Sequence, residues 1–244
     1  MNDPSGPRQF ATTQWSLVAA ARPGEASENR AREALAELCR VYWYPLYAFV
    51  RSCGHSAADA QDLTQAFFAR TIEKGGFASA VRERGRFRSY LLGAMKHFLA
   101  NEWRRGRTQK RGGQVQFIEW DALDPESRYA ETAQQAEDPE QVFDREWALE
   151  VVAGALRSLR DEMAEAGKSE QFDLLKGSLI GEGDAPRGEI AAGLGMTENA
   201  VKVAVHRLRQ RYRGLLRAEI AETVGSREDL DDEMRHLVAV LRRS

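Results

Sequence analysis

Apolar residues recur at helical spacing along nearly the whole chain, and no stretch alternates with the period of two that paired strands require. The pattern predicts an all-α protein. Between residues 31 and 53 the apolar positions are Ala34, Leu35, Leu38, Val41, Tyr42, Leu46, Phe49 and Val50. Pro45 interrupts this run and predicts a kink or a break into two helices, and Gly54 closes it. Ser56-x-x-Asp59 has the form of a capping box ahead of a helix reaching Glu73, with Ala60, Leu63 and Phe67 on one face and Gly75-Gly76 as its stop. After a basic loop from Arg82 to Arg86, Phe87, Leu91, Ala94 and Phe98 mark another amphipathic helix, which ends at Trp103-Arg-Arg-Gly106.

Periodicity is lost over 107–142, where Gly112-Gly113, Pro125 and Pro139 read as linker, with room for short ordered pieces. It resumes at Phe143, with Val152, Leu156, Leu159 and Met163 on one face. Gly167 and the stretch Gly181–Pro186 punctuate the next segment. Glu189–Met196 reads as a short helix stopped by glycine, and Thr197 as the N-cap of a long helix to about Ile220. The last residues give a short acidic segment and then Met234, Leu237, Val238 and Leu241 on one helical face. The predicted organisation is an N-terminal extension (1–29), a helical domain (30–106), an acidic flexible linker (107–142), a second small helical domain (143–220) and an acidic C-terminal tail with a short helix (221–244).

Charge sharpens this division. The 244 residues carry 35 Lys and Arg against 37 Asp and Glu, a net charge of -2, yet the balance is local cancellation. Residues 82–111 hold ten basic side chains against two acids, and 202–217 hold six against none. Residues 119–150 hold eleven acids against two arginines. Dense basic blocks bind phosphate because each Lys or Arg displaces a condensed counterion; the plainer reading is a solvated helix face. Two cysteines, Cys39 and Cys53, and four scattered histidines make neither a disulfide framework nor a zinc site, and no cofactor or metal is expected. With no run of 18 apolar residues and no basic-then-apolar leader, the expectation is a cytoplasmic protein without membrane insertion.

Residues 187–213 carry the sharpest local signal: short helix, glycine turn, longer helix. In the second helix Val201, Val205, Leu208 and Tyr212 form an apolar stripe, while Lys202, His206, Arg209 and Arg213 lie on another face at the same spacing. One side can pack inward while the other meets a DNA major groove, although a surface hairpin with a basic face has the same pattern. In the first basic block aromatics are interleaved: Phe87, Tyr90, His97, Phe98 and Trp103. Cations among rings suit single-stranded nucleic acid; at helical spacing, Phe87 and Phe98 read instead as core.

These motifs carry a resemblance. Asp59-Ala-Gln-Asp-Leu-Thr-Gln-Ala-Phe-Phe68, Phe87-Arg-Ser-Tyr-Leu91 and Trp103-Arg-Arg105 resemble region 2 of bacterial sigma-70-type factors. Glu189-Ile-Ala-x-x-Leu-Gly-Met-Thr-x-x-Ala-Val-Lys-Val-x-Val-His-Arg-Leu-Arg209 resembles their region 4. Region 2 and region 4 joined only by a linker is the layout of the extracytoplasmic-function (ECF) subfamily. The resemblance covers 30–106 and 143–217. It implies that Asp62, Gln65 and Phe68 meet the β′ clamp of core RNA polymerase. It implies that Lys96, His97, Phe98 and Asn101 capture an extruded base of the minus-ten element, with Arg104 and Arg105 on the backbone. Lys202, Val203, His206 and Arg207, with Arg209 and the cap Thr197, then face the minus-thirty-five element.

The implied function is a sigma factor, not an enzyme, that directs core polymerase to promoters and helps open the duplex. Its partners are core RNA polymerase, through the β′ clamp and the β flap, and promoter DNA; an anti-sigma factor is a further partner the resemblance admits. The competing reading is a helix-turn-helix regulator that binds operators without core polymerase. A nucleic-acid hydrolase would need carboxylates clustered on a basic surface, and the acids lie elsewhere. The chain departs from the family pattern in its Gly-rich stretch before the helix-turn-helix, which lacks a Pro-x-x-x-Arg helix start, in Phe10–Leu17, and in the tail. Seven acids from Glu219 to Glu233 suit a tail folded back on a basic face, or simply a stabilising terminal helix.

Overall fold

The computed structural model describes residues 41–73, 86–106, 125–133, 138–179, 187–221, 223–224 and 226–243. The predicted N-terminal extension, Cys39, the Gly75-Gly76 stop, the loop from Arg82 to Gly85, the stretch 107–124 and the segment Gly181–Pro186 lie outside them. All regular structure among the described residues is helical. The helices are α1 (41–52), α2 (Ala57–Glu73), α3 (Phe87–Gly106), α4 (Pro125–Ala133), α5 (Pro139–Glu165), α6 (Ser169–Leu175) with one 3-10 turn (Lys176–Ser178), α7 (Arg187–Leu194), α8 (Glu198–Ala221) and α9 (Arg227–Arg242). None of them is long and apolar enough to cross a membrane. The chain divides into two compact units, one of residues up to Leu149 together with those from Ala221 onward, the other Glu150–Ile220.

In the first unit α1 is the central element. Residues 42–50 are buried without exception, a helix apolar on every side. It continues through Pro45, so of the predicted kink or break the break does not occur there. A proline inside a helix costs ~3 kcal/mol. Against that stand Tyr42, Leu46 and Tyr47, all but fully buried, each contributing ~1.5–3 kcal/mol. Trp43 stacks on Tyr47 at 5.2 Å between ring centroids, and Tyr42 meets Phe87 of α3 edge-on at 5.3 Å. Gly54, at φ +92°, makes the turn out of α1. Ser56 then caps α2: the Asp59 amide donates to Ser56 Oγ at 3.1 Å, and the Ser56 hydroxyl donates to Asp59 Oδ2 at 2.7 Å, a side-chain variant of the expected capping box. Phe67 of α2 meets Phe98 of α3 edge-on at 5.7 Å, and Phe87, Leu91 and Met95 bury the inner face of α3.

Part of the expected linker is folded. α4 lies within 107–142 and docks on α1 through polar groups the sequence pattern does not pair. Glu126 accepts from Arg51 and from Tyr47 Oη, the latter at 2.7 Å. Arg128 sits over the Tyr44 ring at 3.7 Å and reaches the fully buried Glu146 of α5 at 2.7 Å. The helix expected from Phe143 starts at Pro139, because Asp138 Oδ1 accepts from the Glu140 amide at 3.0 Å and proline suits a first helical position.

In the second unit α5, α6, α7 and α8 close around Ala155, Leu159, Phe172, Leu175, Ile190, Ala191, Val201, Leu208 and Tyr212. Val152, Leu156 and Met163 pack against the edge of this cluster, so the predicted stripe on α5 faces it. Gly167 and Gly195, at φ +69° and +61°, make the turns after α5 and α7.

Candidate nucleic-acid interface

In the second unit a short helix, a glycine turn and a longer helix follow one another. α7 ends at Leu194, Gly195 turns the chain, and Thr197 caps α8 with its Oγ1 accepting from the Ala200 amide at 3.2 Å. The apolar stripe on α8 turns inward as predicted: Val201, Leu208 and Tyr212 are buried and Val205 half-buried. Burial raises the Tyr212 phenol above its ordinary pKa. Lys202, His206, Arg207 and Arg213 are exposed, and Val203 keeps 43% exposure despite being apolar. Arg209 behaves differently. It is half-buried, and its Nε donates to the Ser178 carbonyl at 2.8 Å, fastening the 3-10 turn to α8.

The exposed part of α8 presents two neighbouring faces. Lys202, His206 and Arg213 form one. Val203 and Arg207, one turn apart, stand with Ala200 on the wall of a 580 Å³ groove floored by Leu159, Met163 and Leu175. Arg211 is drawn to Glu162 at the groove edge, with Nε donating at 2.7 Å, and this bond raises its pKa. An apolar floor beside exposed cations can take both a phosphate strand and the methyl groups of bases.

In the first unit, Asp62 is exposed on α2, Gln65 half-buried and Phe68 only 3% exposed. Asp62 and Gln65 therefore form the accessible part of the predicted polymerase-binding element, while Phe68 fills the core beneath it. On α3, Lys96, His97, Asn101 and Arg104 are exposed. Lys96 is paired with Glu140 of α5 at 2.5 Å. Phe98 lies in the core under Arg70, whose guanidinium sits 5.2 Å from the ring centre. It does not stand in the surface group with His97; its helical spacing with Phe87 and Leu91, not its aromatic character, decided its place. The side chain of Arg105 lies outside the described ones. Trp103, at 65% exposure, is the most exposed large apolar side chain of the described residues.

A further polar centre, like the α1–α4 pairs, was not legible in the sequence. Arg88, on the buried side of α3, donates to Asp144 of α5 at 2.5 Å and to both carboxylate oxygens of Glu233 on α9, and lies 4.9 Å from the Trp147 ring centre. Desolvation lowers its pKa, but Glu233 and Asp144 outweigh that and raise it. Asp144 also bonds His236 Nε2 at 3.0 Å. The only signal in the sequence was an arginine next to Phe87 on the inward face; its partner lies 145 positions away.

Among the described residues no group of three or more His, Cys, Asp or Glu is placed to hold a metal ion. Comparison with family models, with curated proteins and with solved structures finds no match to the chain.

Proposed function

We propose that this protein is a sigma factor of the ECF type. It binds core RNA polymerase, directs it to promoters through minus-ten and minus-thirty-five elements, and assists melting. The polymerase supplies the chemistry, and the chain itself is not an enzyme. The observation that carries this reading is the capped helix-turn-helix whose second helix buries Val201, Leu208 and Tyr212 while exposing Lys202, Val203, His206 and Arg207. Those four are the positions the resemblance to region 4 assigns to the minus-thirty-five element. Exposed His97, Asn101 and Arg104 along α3, and exposed Asp62 on α2, support the corresponding roles in melting and in clamp binding.

The deciding experiment is run-off transcription with core polymerase and a promoter library, alongside a pull-down of core polymerase. Promoter-dependent transcripts, and core binding weakened by Asp62→Ala, support a sigma factor. Sequence-specific duplex binding without any core binding would instead identify a helix-turn-helix regulator, a reading that needs only the second unit.

A further inference from the structure

Arg86 and Arg88 flank Phe87 at the start of α3, and both turn onto one carboxylate of α9. Arg86 Nε lies 2.9 Å from Glu233 Oε2, and Arg88 Nη2 donates to the same oxygen at 3.3 Å. Two guanidiniums sharing one dioxygen anion is the arrangement in which arginines hold a phosphate. The two arginines are not equivalent. Arg88 is buried, and Asp144 and Trp147 hold it independently of Glu233. Arg86 keeps 29% side-chain exposure, and among the described residues the carboxylates it pairs with, Glu233 and Asp232 (3.8 Å), both belong to α9.

The placement of Glu233 is not what packing alone selects. Its side chain is 0% exposed, and burying a charged group costs desolvation that a well-packed apolar residue avoids. The acid lies on the side of α9 that turns inward. Of the apolar face read from Met234, Leu237, Val238 and Leu241, Leu237 is buried, Met234 and Leu241 are half-buried, and Val238 is 42% exposed, while Glu233 is buried beside it. Glu228, Asp229, Asp231 and Asp232 precede it, giving five acids in six positions. A phosphate approaching Arg86 therefore meets an occupied guanidinium and a negative field. The segment leading into α9 is fastened to the same spot, since the Phe87 amide donates to the Thr223 carbonyl at 3.1 Å, with Thr223 and Val224 buried.

We propose that α9 is an intramolecular phosphate mimic: Glu233 occupies Arg86 in the free chain, and a nucleic-acid strand running along α3 displaces it. The tail thereby lowers the affinity of the unassembled protein for nucleic acid. This rests on reading α3 as a nucleic-acid surface.

The test uses the full chain, a fluorescent single-stranded DNA oligonucleotide and a salt titration, with folding followed by circular dichroism. Glu233→Gln tightens binding severalfold and steepens the salt dependence by about 0.7 in the log–log slope, one added phosphate contact on a single strand. Asp231→Asn/Asp232→Asn, at exposed positions, acts in the same direction and decides the matter if Glu233→Gln fails to fold. Arg86→Ala in either background removes the gain. Arg104→Ala in the otherwise unchanged chain weakens binding and reports on α3 itself. Unchanged affinity and slope in the α9 variants, with Arg104→Ala still weakening binding, overturns the mimic but leaves the reading of α3 intact. A gain that survives Arg86→Ala also overturns it. No binding by any form overturns both.

Discussion

Arg51 grips both oxygens of Glu126, with Nε to Oε2 at 2.9 Å and Nη2 to Oε1 at 2.5 Å, and so ties α4 to α1 across 75 residues of sequence. The bond from Arg51 holds the Glu126 carboxyl below the usual carboxylate range, with Tyr47 adding to it. A carboxyl depressed in the folded state contributes stability at pH values above the ordinary carboxylate range. That contribution is lost as pH falls through the depressed value. Glu126 is 39% exposed, so solvent screening keeps the pair to about 0.5–1 kcal/mol. Glu126→Gln is expected to lower the melting temperature by about 2 °C at neutral pH. The deficit relative to the unchanged chain should shrink toward zero in acid. A deficit that stays constant into acid would show that Glu126 acts by packing.

Thr197 caps α8 through its hydroxyl, and this role is separable from any phosphate contact. Thr197→Ala should cost about 1 kcal/mol, the usual loss for an N-cap. Thr197→Asn or Thr197→Asp restores a cap. If Thr197 only caps, Asn and Asp both restore stability, and the neutral Asn also restores duplex binding. A folded Asn variant that still binds duplex DNA poorly would assign the hydroxyl a phosphate contact as well, whereas Asp, which repels phosphate, reports on stability alone.

The helices were legible where one face alone meets the core. On α8 the spacing of Val201, Val205, Leu208 and Tyr212 fixed the inward side, and on α2 the Ser56–Asp59 box fixed the start. What the sequence hid is long-range and polar. Arg88 with Glu233, Arg51 with Glu126 and Arg128 with Glu146 are charged pairs made between helices, and charge gives no period by which to find a partner. At Pro45 the helix is not broken for a related reason: burial of all nine residues from 42 to 50 overrides a local helix breaker, and burial on every side leaves no amphipathic pattern to read. Among the candidate site residues, spacing alone could not separate Arg209, which fastens a turn, from Arg207, which stays at the surface.

That distinction is measurable. Arg207→Ala removes an exposed cation from the groove wall and should weaken binding to promoter duplex, flattening the log–log salt dependence by about 0.9 for each phosphate no longer bound. Its stability should stay within about 0.5 kcal/mol of the unchanged chain, as for other exposed substitutions. Arg209→Ala should do the reverse, lowering stability by about 1–3 kcal/mol because the Ser178 carbonyl loses a charged donor. Equal duplex binding after Arg207→Ala would reassign the recognition face to Lys202, His206 and Arg213.

His97 and Phe98 are adjacent in sequence, one exposed and the other buried, which lets melting be tested apart from folding. Phe98 is buried against Phe67 and beneath Arg70, so Phe98→Ala opens a cavity and should cost about 3–5 kcal/mol. Loss of transcription in that variant would report an unfolded first unit and say nothing about bases. His97→Ala removes an exposed side chain and should change stability by less than about 0.5 kcal/mol. If His97 and Asn101 line the pocket for an extruded base, His97→Ala and Asn101→Ala slow open-complex formation on a duplex promoter. A promoter with a pre-melted minus-ten region, where unpairing no longer costs a few kcal/mol, should recover most of the lost rate. Permanganate footprinting of unpaired thymines checks the first expectation and run-off yield on the mismatched template checks the second. Full activity of both folded variants on duplex promoters would remove this face of α3 from the melting step.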